Sequence, residues 1–184
     1  MAVAMLVSTW LNNVGYDMAI VTEDNFSIVE PLEMRNAMGK FLTGVTIVTI
    51  VQADGTPYGL TVNSFNSVSL DPPLVLWSLD NRNGNLQAFR DASGFVVNVM
   101  AANQADLCSR FASPAPNRFD GVAWKKGTSG HPVLDGCLAS FDCRHWTEYA
   151  GGDHTIFIGE VLAIEQQEGI PAAYYSGKLG HYSS

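Results

Sequence analysis

The chain predicts a mainly β fold: a largely antiparallel barrel with short helices at its periphery. Three observations carry this. Segments rich in β-branched residues outnumber helical ones, Gly and Asp mark the turns between them, and no strand-helix-strand rhythm repeats. With 184 residues, 47% of them apolar and 15% charged, the chain suits one domain with a sizeable core.

Each element follows from local pattern. Over residues 31–42, Met34, Met38, Phe41 and Leu42 recur at helical spacing, Pro31 suits a first helical position and Gly44 can end the helix. Residues 45–51 are β-branched, Asp54 and Gly55 supply a turn, and residues 58–68 return, which predicts a hairpin. Pro72 and Pro73 then punctuate, and residues 74–79 read as a buried strand. A polar turn at 81–85 leads to a short helix marked by Leu86, Phe89 and the stem of Arg90, followed by a strand over 95–100. A second helix is expected near Asn103, a plausible cap, with Leu107 and Phe111 one turn apart. Residues 113–120 form a loop.

Residues 137–146 alternate as a long strand. Cys137, Ala139, Phe141, Cys143 and His145 share one face, while Leu138, Ser140, Asp142, Arg144 and Trp146 share the other. A further strand over 155–164 is entered through Gly151, Gly152, Asp153 and His154, and a last short one covers 172–175. Ahead of this domain, taken as residues 31–184, residues 1–30 read as an arm. Its apolar start lacks the basic residues and cleavage pattern of a secretory leader, and is too short to span a bilayer. Three cysteines at irregular spacing suggest no disulfide framework, so a reducing, cytoplasmic setting is expected.

A formal charge of −8 with only ten Lys and Arg argues against a nucleic-acid partner, which needs clustered cations. Neither the dinucleotide fingerprint GxGxxG nor a P-loop is present. Cys137, Cys143 and His145 fall on one strand face with Ala139 and Phe141, so they are expected in the core rather than on a metal. No GxSxG elbow or catalytic cysteine signature supports hydrolysis.

What remains is residues 61–74, where Thr61, Asn63, Ser64, Ser67 and Ser69 stand in place of bulky apolar residues. Two readings fit. One is an exposed Thr/Ser-rich strand ending at a Pro-Pro turn. The other is a shelf for a flat polar heterocycle, whose edge needs several donors and acceptors in close order. His154, where a glycine turn becomes a strand, either serves that turn or faces the barrel mouth.

Three segments combine into a likeness: TVNSFNSVSLDPPLVLWSLD (61–80), FVVNVMA (95–101) and GGDHTIFIGEV (151–161), supported by RFDGVAW (118–124) and YYSGKLG (174–180). Together they resemble the flavin reductase-like family of FMN-binding split barrels over roughly residues 31–182. The resemblance implies a Greek-key split barrel and NADH- or NADPH-dependent reduction of FMN or FAD, with reduced flavin passed to a partner monooxygenase. It also implies a homodimer. Carried over by position, Thr61, Val62, Asn63 and Ser64 would hold the isoalloxazine edge, with Thr46 beside them. Ser78, Leu79, Asp80, Arg82, Asn83 and Asn85 would surround the ribityl phosphate. His154 would lie beside the nicotinamide as the catalytic-site histidine, and Lys178 would be the basic residue of the closing loop. The family usually has Ser or Thr at the start of the phosphate-side helix, where this chain has Asn83, Gly84 and Asn85. Two alternatives share the same motifs: a flavin-binding electron carrier without a nicotinamide site, and a reductase serving ferric chelates or a corrinoid.

Overall fold

The computed structural model describes residues 29–114 and 116–182. Contacts divide the chain into residues 1–35 and 36–184. Of the expected arm, residues 1–28 lie outside the described residues. Helix α1, Pro31–Met38, is shorter than the expected 31–42, and none of its residues is buried. Gly44 does not cap it, because Thr43–Gly44 is a short strand, β1.

In residues 36–184 the strands are antiparallel and most belong to one sheet. After β1 come β2 (Thr46–Val51), β3 (Pro57–Val62), β4 (Asn66–Leu70) and β5 (Pro73–Asp80). Helix α2 (Leu86–Asp91), β6 (Gly94–Val99) and helix α3 (Ala105–Ala112) follow. The chain then forms β7 (Trp124–Lys126), β8 (Pro132–Leu134), β9 (Ala139–Gly151), β10 (His154–Gln166), β11 (Ala172–Tyr175) and β12 (Lys178–His181). Seven strands are ordered β3-β2-β6-β9-β10-β5-β4, while β1-β11-β12 and β7-β8 form two smaller sheets.

The expected single strand over 58–68 is two strands, and the break between them explains the barrel. β3 and β4 lie at opposite edges of the seven-stranded sheet, yet only residues 63–65 join them. Laid flat, six strand spacings would separate the edges by about 29 Å. The connection spans at most about 14 Å. The sheet therefore curls to bring its edges toward each other, and one core draws on both sides: Leu60 from edge strand β3 packs with Val75, Trp77 and Leu79 from β5, the neighbour of edge strand β4. Trp77 stacks on Phe157 at 4.8 Å, and Phe89 of α2 plugs the barrel end against Trp77 at 5.0 Å and Tyr58 at 5.8 Å.

β2 is apolar on both sides for a reason the alternation makes plain. Val48 and Ile50 enter the barrel core, whereas Ile47, with the preceding Val45, meets Cys108 and Phe111 of α3 and Leu134 of β8. Each such side chain contributes about 1.5–3 kcal/mol on full burial. The expected face assignment on β9 holds for Phe141 and Cys143, which pack in the core, and for His145, which meets the Phe157 ring edge-on at 6.0 Å, but not for Cys137, which precedes the strand and lies beside Asn98 and Ser140 on the outer side. The strand itself runs from 139 to 151 rather than 137 to 146.

Asn103 is not a helix cap. A 3₁₀ turn, Ala102–Gln104, precedes α3, and Gln104 Oε1 accepts from the Ala101 N–H at 3.1 Å. β1, β7 and β8 escaped the sequence reading because each has two or three residues, too few for a period to register, and β12, Lys178–His181, was missed as well. Among the described residues no helix is long and apolar enough to cross a membrane.

Buried polar groups tie the outer layer to β2. Asn98, 0% exposed, donates to Ile47 O (3.0 Å) and Thr49 Oγ1 (3.1 Å) and accepts from Leu134 N (2.8 Å). His131, 5% exposed, accepts from Val51 N through Nδ1 at 2.9 Å, so its proton resides on Nε2. Burial lowers its pKa from the ordinary 6.5, against an opposing pull from Asp142. The folded state thus binds a proton less readily than the unfolded one. The stability His131 contributes is complete above the unfolded pKa and is lost as pH falls from about 6.5 toward the lower folded value. His131→Gln should therefore be less stable than the parent at pH 8, with the gap in Tm narrowing by pH 5; thermal melts across that range check it.

Candidate functional site

The seam between β3 and β4 carries the polar residues singled out above. Thr46 is buried and donates to Val62 O at 3.1 Å, holding the end of β3. Thr61 donates to Cys108 O at 2.7 Å and so ties β3 to α3. These bonds turn the 61–63 backbone toward a cavity of about 380 Å³, walled by Cys108, Ser109 and Ala112 of α3 and by Tyr174, Gly177 and Leu179. Val62 and the exposed Asn63 also line it.

Ser64 is fastened to the other edge. Asn66 pairs with Leu76, and continuing that register places Ser64 opposite Ser78. There the Ser64 hydroxyl accepts from Ser78 N at 2.9 Å and donates to Ser78 O at 3.3 Å. A side chain takes over the ladder where the backbone turns away, and half-buried Phe65 covers the seam against Phe141 at 5.2 Å.

From Ser78 the line continues along β5. Asp80 is two residues on, about 7 Å away on the same face, and is the register partner of His154. Leu79, between them, points into the core, so only its backbone can face a ligand. Asp80 accepts from the Arg82 backbone at 2.8 Å and pairs with its guanidinium at 2.6 Å. Side-chain and backbone hydrogen bonds from Arg82 hold the Asp80 carboxyl well below the ordinary carboxylate range. Asn83 Oδ1 accepts from Asn85 N at 2.9 Å, shaping the entry to α2.

His154 opens β10 opposite Gly151, after a two-residue turn in which Gly152 has φ +71. Its Nδ1 lies 2.7 Å from Asp153 Oδ1, so a carboxylate rather than the glycine backbone engages the ring. Lys178 is exposed on β12, just beyond the Ser176–Gly177 turn, where φ is +48 and +78. It stands outside the cavity lining, although its neighbours Gly177 and Leu179 belong to it.

Of the residues named above, Thr61, Val62 and Asn63 line the cavity; Thr46 is bonded to Val62, Ser64 to Ser78 and Arg82 to Asp80, and Asp80 is in register with His154, while Asn83 and Asn85 are bonded to each other and Lys178 lies on a neighbouring hairpin. Sequence reasoning missed the α3 wall of the cavity and the Asp153 contact. Nothing in the helical period of α3 separates a cavity-facing Ser109 from a solvent-facing one. The aspartate, by contrast, was next to the histidine all along.

A description as "Flavin reductase like domain" matches residues 38–183. The chain is 45% identical over 149 residues to FMN reductase (NADH) SmoA of Agrobacterium fabrum, covering 81% of this chain and 84% of that one. It is 44% identical to the reductase component of flavin-dependent trigonelline monooxygenase from Acinetobacter baylyi, spanning 82% of this chain but 46% of that longer protein. Among solved structures, NADH:FAD oxidoreductase SgcE6 of Streptomyces globisporus superposes with a TM-score of 0.77 at 35% identity, over 86% of this chain and 99% of that one.

Ser64→Ala removes both contacts to Ser78 and leaves a half-buried N–H without its acceptor, a loss of about 1–3 kcal/mol. Denaturant unfolding should report a destabilisation of that size, with m unchanged. The chain belongs to the flavin reductase-like family.

Proposed function

We propose that this site binds a flavin, with the isoalloxazine edge along residues 61–64 and the ribityl phosphate near Arg82, Asn83 and Asn85, and that His154 orients the nicotinamide. The chain is an NAD(P)H:flavin oxidoreductase that supplies reduced flavin to a partner monooxygenase. The observation that carries the reading is the cavity lined by Thr61, Val62 and Asn63, next to which Ser64 is bonded to Ser78 and, two residues further along β5, Asp80 is in register with His154. Its size falls within the ~300–1,000 Å³ usual for small-molecule sites.

The residues fit a flavin in chemical terms. Thr61 and Ser64 have committed their hydroxyl protons to protein carbonyls, so they are fixed in place and offer oxygen lone pairs and adjacent backbone N–H groups. Fixed donors are worth most where charge develops, because they need no reorganisation during the reaction. Hydride passes from nicotinamide to flavin when both are bound, and the protein's share is distance, stacking and electrostatics. Asp153, bonded to Nδ1, leaves Nε2 of His154 facing outward for the incoming amide. Asp80 stays ionised and paired with Arg82, keeping the phosphate side of the site near neutrality.

We also place the activity in a cytoplasmic homodimer built on residues 31–184. Three free cysteines, Cys108, Cys137 and Cys143, support a reducing setting. Exposed Val68 and Leu70 on β4 and Leu162 and Ile164 on β10, with Leu70 93% exposed, support a second copy against the barrel.

Anaerobic mixing of protein, FMN or FAD, and NADH or NADPH should bleach the flavin band. No bleaching with either nicotinamide would leave only electron carriage. His154→Ala should raise the nicotinamide KM about tenfold, roughly 1.4 kcal/mol, with the flavin Kd little changed. Weakened flavin binding at an unchanged KM would reverse the assignment.

A further inference from the structure

The turn that presents His154 has few holds of its own. Asp153 and His154 expose 80% and 42% of their side chains, and Gly152, between the strands, has φ +71. What fixes the turn comes from outside the hairpin. Asn81, directly after β5, donates its backbone N–H to Asp153 O at 2.9 Å and its side-chain amide to Gly152 O at 3.3 Å, so both residues between β9 and β10 are held by their carbonyls. Apart from the strand ladders, these are the hydrogen bonds that reach Gly152 and Asp153 from another element among the described residues.

The clamp is itself anchored. Asn81 Oδ1 accepts from the hydroxyl of Thr155, the residue after His154, at 2.7 Å, and Thr155 is 3% exposed. That hydroxyl also accepts from Arg90 of α2 at 3.3 Å, and Arg90 pairs with Glu148 of β9 at 3.0 Å. Asn81 thus grips the chain on both sides of His154 and joins it to a buried hydroxyl that α2 holds in turn.

Placement matters at such a site, because a shift of about 1 Å caused by a change away from the reacting atoms can cost about a hundredfold in rate. We infer that Asn81 is a positioning residue: by clamping residues 152, 153 and 155 it fixes the imidazole of His154. Asn81 acts through the turn and through Thr155. The inference rests on the reading of His154 given above, and what it adds is the mechanical link from Asn81 to the ring.

A double-mutant cycle with a spectroscopic readout tests this link. Asn81 is exposed, so Asn81→Ala removes its side-chain contacts without opening a cavity in the core. In the parent background it should raise the nicotinamide KM about fivefold, with the flavin Kd little changed, and in the His154→Ala background it should raise KM no further. Thr155→Val, which removes the hydroxyl at nearly constant shape, should repeat the rise, and Thr155→Ser should not. Where His154→Ala does raise KM, an Asn81→Ala effect that persists undiminished in that background, or none in the parent, overturns the inference. The ring NMR signal of His154, assigned by its loss in His154→Ala, should move in Asn81→Ala whether or not the ring meets the nicotinamide. A KM indifferent to His154→Ala with that signal displaced would retain the clamp and remove the nicotinamide from His154, whereas an unmoved signal overturns the clamp.

Discussion

Three residues, 63–65, carry the chain from one edge of a seven-stranded sheet to the other, and the rest of the molecule accommodates that short reach. Because the connection spans less than half the width of a flat sheet, closure is a matter of chain length before it is a matter of side-chain preference. The barrel core, the plug of Phe89 at its end and the seam at Ser64 and Phe65 all follow. A seam bridged by side chains rather than by a ladder also leaves residues 63–65 outside the strand ladders, where backbone groups can serve a polar ligand.

Buried hydrogen bonds and exposed turns fall in different parts of the molecule. On one side Asn98, Thr49 and His131 lock β2, β6 and β8 together through buried hydrogen bonds whose loss is costly. On the other, the cavity wall includes the β11–β12 hairpin, whose turn residues and Lys178 are exposed.

Charge is handled locally. The chain carries −8 overall, yet its site must receive anionic nucleotides. Arg82 is paired with Asp80, so in the proposed site hydrogen bonding and stacking, rather than net field, would orient the ligand. Such binding is compatible with a flavin that is released after reduction.

By itself the sequence determined the antiparallel class, the family likeness and the polar character of residues 61–69, because period-2 alternation, Gly and Asp turns and clustered hydroxyls are local properties. It also placed His154 at the head of a strand. Only the tertiary structure decided that 58–68 is two strands on opposite edges, since the pattern of Thr and Ser runs through the break without interruption. Likewise, nothing local tells that Ser78 meets Ser64, that Asp80 stands in register with His154, or that α3 walls the cavity. Those facts come from strands paired across tens of residues, where register and curvature, rather than propensity, select which side chains meet.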